Sequence, residues 1–147
     1  MRYEHKGNHI LLRLERGEEL CASLLELARR EKISLAKVEG LGASDHCVVG
    51  LYRLDEQRFS PVTLERPLEI CTVTGSLTRK NGEPYLHLHG VLADETGACW
   101  GGHLKEARIS ATAELFLELL PGTVERVHDE KTGLELWKLD PEGGMTQ

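Results

Sequence analysis

No Cys-x-x-Cys pair occurs in this chain, whose four cysteines, Cys21, Cys47, Cys71 and Cys99, stand more than twenty residues apart. That spacing excludes a dense disulfide framework and makes reduced thiols, packed as small apolar residues, the expectation. No apolar run approaches the ~20 residues a membrane span needs, and Met1-Arg2-Tyr3-Glu4-His5 does not open a signal peptide. A cytoplasmic location is therefore expected. Positive charge is also short: 18 Lys and Arg against 24 Asp and Glu leave a net charge of −6. Phosphate binding is built on clustered basic side chains, so direct contact with nucleic acid or an acidic membrane is not expected. There is no internal repeat and no low-complexity segment. The two glycines of Glu39-Gly40-Leu41-Gly42 fall short of a dinucleotide fingerprint, which needs a third glycine followed by a helix.

What is present, 147 residues in ordinary globular proportions, is enough for one domain with its own core. Ile10 to Leu14 reads as a strand. From Glu18 to Glu31, Leu20, Leu24, Leu27 and Ala28 recur at spacings of three and four, with Glu18 and Glu19 at the start and Arg29 and Arg30 at the end; this predicts a helix whose apolar seam covers a sheet. Leu35 to Val38, Cys47 to Tyr52, Leu68 to Leu77, Val124 to His128 and Glu135 to Leu139 read as strands, with Glu39 to Ser44 as a loop. Asn81-Gly82 is a hairpin signal. Ala111 to Leu120 fits helix and strand equally. The sum is an α+β domain over 1–147, a largely antiparallel sheet with one long helix packed on it, and a frayed tail at 141–147.

The chemistry concentrates between Gly82 and Leu104, which holds three of the seven histidines. From Tyr85 to His89 the period is two, so a strand turns Tyr85, His87 and His89 to one face and Leu86 and Leu88 to the other. Downstream, Glu95-Thr96-Gly97 suits a three-residue hairpin loop with Gly97 at its left-handed position. If Asp94 then pairs with Ala98, His89 falls opposite His103. His87 lies one step along the same face, and three imidazoles converge. Neutral imidazole is the commonest metal ligand, and three with an open fourth position are a known zinc arrangement in which bound water becomes acidic. Tyr85 shares that face, where core or interface packing is the expectation; Trp100 points the other way and is expected in the core.

The runs Leu68-Glu69-Ile70-Cys71-Thr72-Val73-Thr74-Gly75-Ser76-Leu77, Pro84-Tyr85-Leu86-His87-Leu88-His89-Gly90 and Gly101-Gly102-His103-Leu104 resemble the PPC, or "plants and prokaryotes conserved", domain. The resemblance implies a compact α+β fold, a homotrimer, and a zinc site at His87, His89 and His103. It also brings a DNA-binding label. In the plant proteins DNA contact comes from a separate Arg-Gly-Arg-Pro AT-hook, which this chain does not contain.

Three function classes follow. The first is a homotrimeric zinc-binding domain that takes a small-molecule ligand or regulates through one. The second is an enzyme using zinc-bound water, with Glu39, Asp94, Glu95 or His46 as candidate acid or base. The third is a DNA-associated regulator with Arg79, Lys80, Lys105 and Arg108 as a basic patch. Strands around Val48 and Leu115 are the candidate trimer face.

Overall fold

The computed structural model describes residues 1–140; the tail expected to fray, 141–147, lies outside the described residues. In chain order the elements are β1 (Arg2–Lys6), β2 (His9–Glu15), α1 (Leu20–Arg30), β3 (Ala36–Arg53), β4 (Arg58–Leu64), β5 (Leu68–Lys80), β6 (Glu83–Ala93), β7 (Cys99–Leu119), β8 (Arg126–Asp129) and β9 (Leu134–Trp137). One antiparallel sheet runs β1-β2-β7-β6-β5-β3-β4, and β7 also pairs with β3. That extra pairing closes a circuit, β3-β5-β6-β7 and back to β3, around the core. The hairpin β8-β9 stands apart as its own small sheet.

The expected α+β domain with one long helix is corrected to a predominantly antiparallel β fold with a single short helix of 11 residues. At its start, Glu18 lies outside the helix, its carboxylate taken by the N-terminal amine and the Glu15 N–H. Glu19 is extended and caps the helix, accepting from the N–H groups of Cys21 and Ala22, and from that of Ala107 on β7. At the other end, Lys32 takes φ = 54° while Ile33 and Lys32 donate to the carbonyls of Ala28 and Arg29, a Schellman ending. The apolar seam itself is where it was expected: Leu20, Leu24, Leu27 and Ala28 are all buried in the common core.

Strand dominates because two strands run far longer than their glycines suggest, 18 residues in β3 and 21 in β7. Glu39 to Ser44 is no loop but the bulged middle of β3, with register shifts against β7 at Gly42/Ser44 and Ser44/His46. A Cβ on Gly40 would lie 2.5 Å from the Glu114 carbonyl oxygen, so the two backbones meet where a side chain has no room. Bulges of this kind bend a strand and let one chain edge serve two partners. Ala111 to Leu120 also resolves as strand: Ala113, Leu115 and Leu117 are buried while Phe116 is exposed, a period of two set by one face on the core. Leu115, offered as part of an association face, is therefore core, and the large apolar side chains those strands leave outside are Leu41, Leu51 and Phe116. Of the cysteines, Cys47 is buried and Cys21 half-buried, with both thiols pushed up to about 12 by burial; Cys71 and Cys99 are exposed, contrary to the packing expected of them. No helix among the described residues is long and apolar enough to cross a membrane.

Candidate metal centre

Two turns fix where the histidines stand. Lys80 pairs with Glu83 across Asn81-Gly82, starting β6. At the other end of β6, Asp94 N–H donates to the Ala98 carbonyl at 3.1 Å, and the Asp94 carboxylate accepts from Thr96 N–H (2.9 Å), Thr96 hydroxyl (2.6 Å) and Ala98 N–H (3.2 Å). This closes the loop Glu95-Thr96-Gly97, with Gly97 at φ = 80°. Register then places His89 opposite His103 and Leu92 opposite Trp100. Leu88 and Leu92 face the core at 3% and 0% exposure. Alternation turns His87 and His89 outward, into a cleft.

The three rings lie with centroids 5.4 Å (His87–His89), 4.9 Å (His87–His103) and 4.4 Å (His89–His103) apart. Each offers a nitrogen within 4.8 Å of the other two. Ligands of a tetrahedral ion at about 2.1 Å sit roughly 3.4 Å apart, so modest side-chain rotations bring the set to bonding distance. His87 Nε2 is shut from solvent without a hydrogen-bond partner, which is costly for a polar atom unless something else occupies its lone pair. Burial, and after it the neighbouring His103, pushes the His87 imidazole down to about 4; burial, and after it His89, lowers His103 as well. Both rings are thereby held in the neutral form that binds metal. The donor set fits a borderline-soft divalent cation, and among the described residues no cysteine or carboxylate joins it.

The cleft over the histidines has a volume of about 720 Å³. Phe59 from β4 closes one side, edge-on to His103 at 6.4 Å, and the β8-β9 hairpin closes the other. Lys80 ties the hairpin through Glu135, Gln57 donates to the Glu130 and Lys131 carbonyls, and further hydrogen bonds hold it. Arg126 donates from Nε to Thr78 Oγ1 (2.8 Å) and from Nη2 to Ser76 Oγ (3.3 Å), Tyr52 hydroxyl to the Thr132 carbonyl (3.1 Å), and Arg79 N–H to the Val124 carbonyl (2.9 Å). Tyr85 forms part of the cleft wall, its ring 4.8 Å from the Arg126 guanidinium, where core or interface packing was expected. Trp100 lies half-buried against the core, with Arg66 over its outer face at 5.2 Å.

The expected acid or base residues do not meet the histidines. Glu39 pairs with Lys37 at 2.8 Å, Asp94 is held by its own turn, Glu95 is exposed in that loop, and His46 sits between Glu65 (2.6 Å) and Glu106 (3.4 Å); none lines the cleft. The carboxylate that does is Glu135, whose Oε1 pairs with Lys80 at 2.7 Å while Oε2 is buried without a partner. Nor do the four basic residues form a patch: Arg108 pairs with Asp45, Lys80 with Glu135, Arg79 bonds the Gly82 carbonyl, and Lys105 lies over Phe59. Arg126, Glu135 and Trp137 carried no sequence signal, since a lone hairpin after the Pro121-Gly122 break gives no clue to what it packs on.

Several known proteins are similar to this chain in sequence or in fold. The metal-containing protein of Archaeoglobus fulgidus is 32% identical, with 95% of this chain and 99% of that one covered at a TM-score of 0.84. The plant- and prokaryote-conserved (PPC) protein of Pyrococcus horikoshii is 31% identical, covering 94% and 95%, also at 0.84. A candidate DNA-binding protein from Bacteroides thetaiotaomicron matches at a TM-score of 0.91 over 93% and 96% but is 21% identical, a likeness of fold alone. The bifunctional protein GlmU of Synechococcus sp. (strain JA-2-3B'a(2-13)) is 34% identical over 135 residues, 90% of this chain; the chain spans about a fifth of the length of the curated relatives it matches. The family model described as the Plants and Prokaryotes Conserved (PCC) domain, the same family that is abbreviated PPC, matches residues 1–121, and the chain belongs to that family.

Proposed function

We propose that this PCC-domain protein binds zinc through His87, His89 and His103 and works as a homotrimeric ligand-binding or regulatory module, with the cleft above the metal as its ligand site. The observation that carries the reading is the triad itself: three imidazoles with nitrogens within 4.8 Å, one of them buried and unpartnered. Zinc is favoured over harder cations because every donor is an imidazole nitrogen. The metal-containing relative of Archaeoglobus fulgidus supports a metal in this fold. Trimer formation rests on the family resemblance and finds support in Leu41 and Phe116, each 55% exposed on neighbouring strands.

A second reading, a zinc-dependent enzyme, is favoured by Glu135 Oε2, a buried carboxylate oxygen without a partner in the cleft wall, which takes the place of Glu39, Asp94, Glu95 and His46 as the group to move a proton. Direct DNA contact has no comparable support at a net charge of −6. The test is elemental analysis of protein purified without a metal-affinity tag, beside the variant His87→Ala, His89→Ala, His103→Ala. Near one zinc per chain, lost in the variant, is the expected result. Equal metal in both samples, or none in either after reloading, would overturn the assignment. Sedimentation of the same samples reads the trimer.

A further inference from the structure

Arg126 is 6% exposed, yet no carboxylate forms an ion pair with it among the described residues. Its five N–H donors have three acceptors, Thr78 Oγ1, Ser76 Oγ and the Glu135 carbonyl, all neutral. The guanidinium lies between the rings of Tyr85 (4.8 Å) and Trp137 (5.9 Å) and lines the cleft. A buried cation without an anion is costly, and a protein with six excess negative charges has had every opportunity to supply one. Across the same cleft stands Lys105, also without an ion-pair partner among the described residues, its ammonium 5.0 Å from the Phe59 ring centre. The cleft's own carboxylate, Glu135, is engaged through Oε1 by Lys80, while its Oε2 is buried without a partner. Cationic charge therefore surrounds the imidazole triad in excess, and the remaining wall is aromatic and aliphatic: Phe59, Tyr85, Leu134 and Trp137.

We propose that this cleft takes a small organic carboxylate with an apolar or aromatic body, its charged head beside the imidazole triad and Lys105 and its body along the β8-β9 hairpin, where Arg126 supplies the second cation. The hairpin, Arg126 to Trp137, follows the residues matched to the family, 1–121. The triad thus stands on the main sheet, and the hairpin supplies the facing wall that carries selection. A volume of about 720 Å³ leaves ample room for an aryl or branched alkyl acid. The proposal rests on the metal reading to the extent that a bound cation adds to the same positive field.

Isothermal titration of the full chain, with zinc content measured on the same sample, tests it. Phenylacetate, the neutral phenylacetamide and phenyl phosphate are the probes. Phenylacetate should bind roughly tenfold or more tightly than the amide, as one charged contact discriminates. Lys105→Gln, an exposed and unpaired position, should remove most of that preference by weakening phenylacetate far more than the amide. Arg126→Gln should do the same if the hairpin stays docked, which Trp137 fluorescence reports, and Arg126→Lys should keep the preference. Zinc bound but amide and carboxylate equal, or a preference untouched by Lys105→Gln, overturns the proposal and leaves the metal reading standing. Binding of phenyl phosphate with no response to phenylacetate also overturns it, assigning the cleft to phosphate. If zinc does not bind, the metal reading fails, and the same carboxylate-to-amide ratio on the metal-free protein decides the anion proposal by itself.

Discussion

Gly102, one residue before His103, offers a sharp test of how the fold holds the triad. Its φ is +144°, and an added Cβ would lie 2.4 Å from the Gly50 carbonyl oxygen on β3. Gly102→Ala therefore brings two costs. Backbone strain in a region that side chains avoid is worth about 1–3 kcal/mol. Forcing a methyl group against main chain that cannot rotate away adds about 1–3 kcal/mol. Gly97, in the loop of the same hairpin, shares the positive φ at +80°, but a methyl group added there would meet nothing within 4 Å. Gly97→Ala should carry only the conformational cost, about 1 kcal/mol. The difference between the two variants carries the steric cost together with the greater backbone strain at Gly102. On metal-free protein, urea unfolding should put Gly102→Ala about 1–5 kcal/mol below Gly97→Ala, a midpoint difference on the order of 1 M. Gly102→Ala should also lose zinc, because β7 must move away from β3 and His103 moves with it. Equal stability in the two variants would refute the claim that β3 dictates the position of His103.

Two other predictions concern the scaffold. Lys32→Gly should stabilise the protein by about 0.5–1 kcal/mol, because Lys32 occupies the left-handed position of a Schellman ending at φ = 54°; thermal unfolding reads the gain, and a loss would mean that the lysine side chain does more than occupy the turn. His46 has its pKa raised above 6.5, first by its hydrogen bond to Glu65, which burial opposes, and then by Glu106. A raised folded value means the contribution is complete below the unfolded pKa and fades as pH climbs through the folded one. His46→Gln should thus destabilise more near pH ~6 than near pH ~9, and a pH-independent effect in urea unfolding would contradict the pairing.

Local pattern determined the site's framework in the sequence alone. A side-chain period of two, a hairpin signal at Asn81-Gly82 and a three-residue loop closed by Gly97 suffice to bring His87, His89 and His103 to one face, because hairpin register follows loop length. The seam of α1 was legible for a like reason, since helical spacing depends only on neighbours. The tertiary structure decided everything that depends on partners distant in the chain. Glycines at 40 and 42 look like a loop until β7 lies against them, and Ala111 to Leu120 has no period of its own until one face meets the core. The helix begins at Leu20 because the Glu19 carboxylate caps it, and that carboxylate is also held by the Ala107 N–H, 88 residues away. The cleft was least visible of all: Arg126 and Trp137 reach the histidines only because the β8-β9 hairpin docks on Ser76 and Thr78, a contact no local pattern encodes.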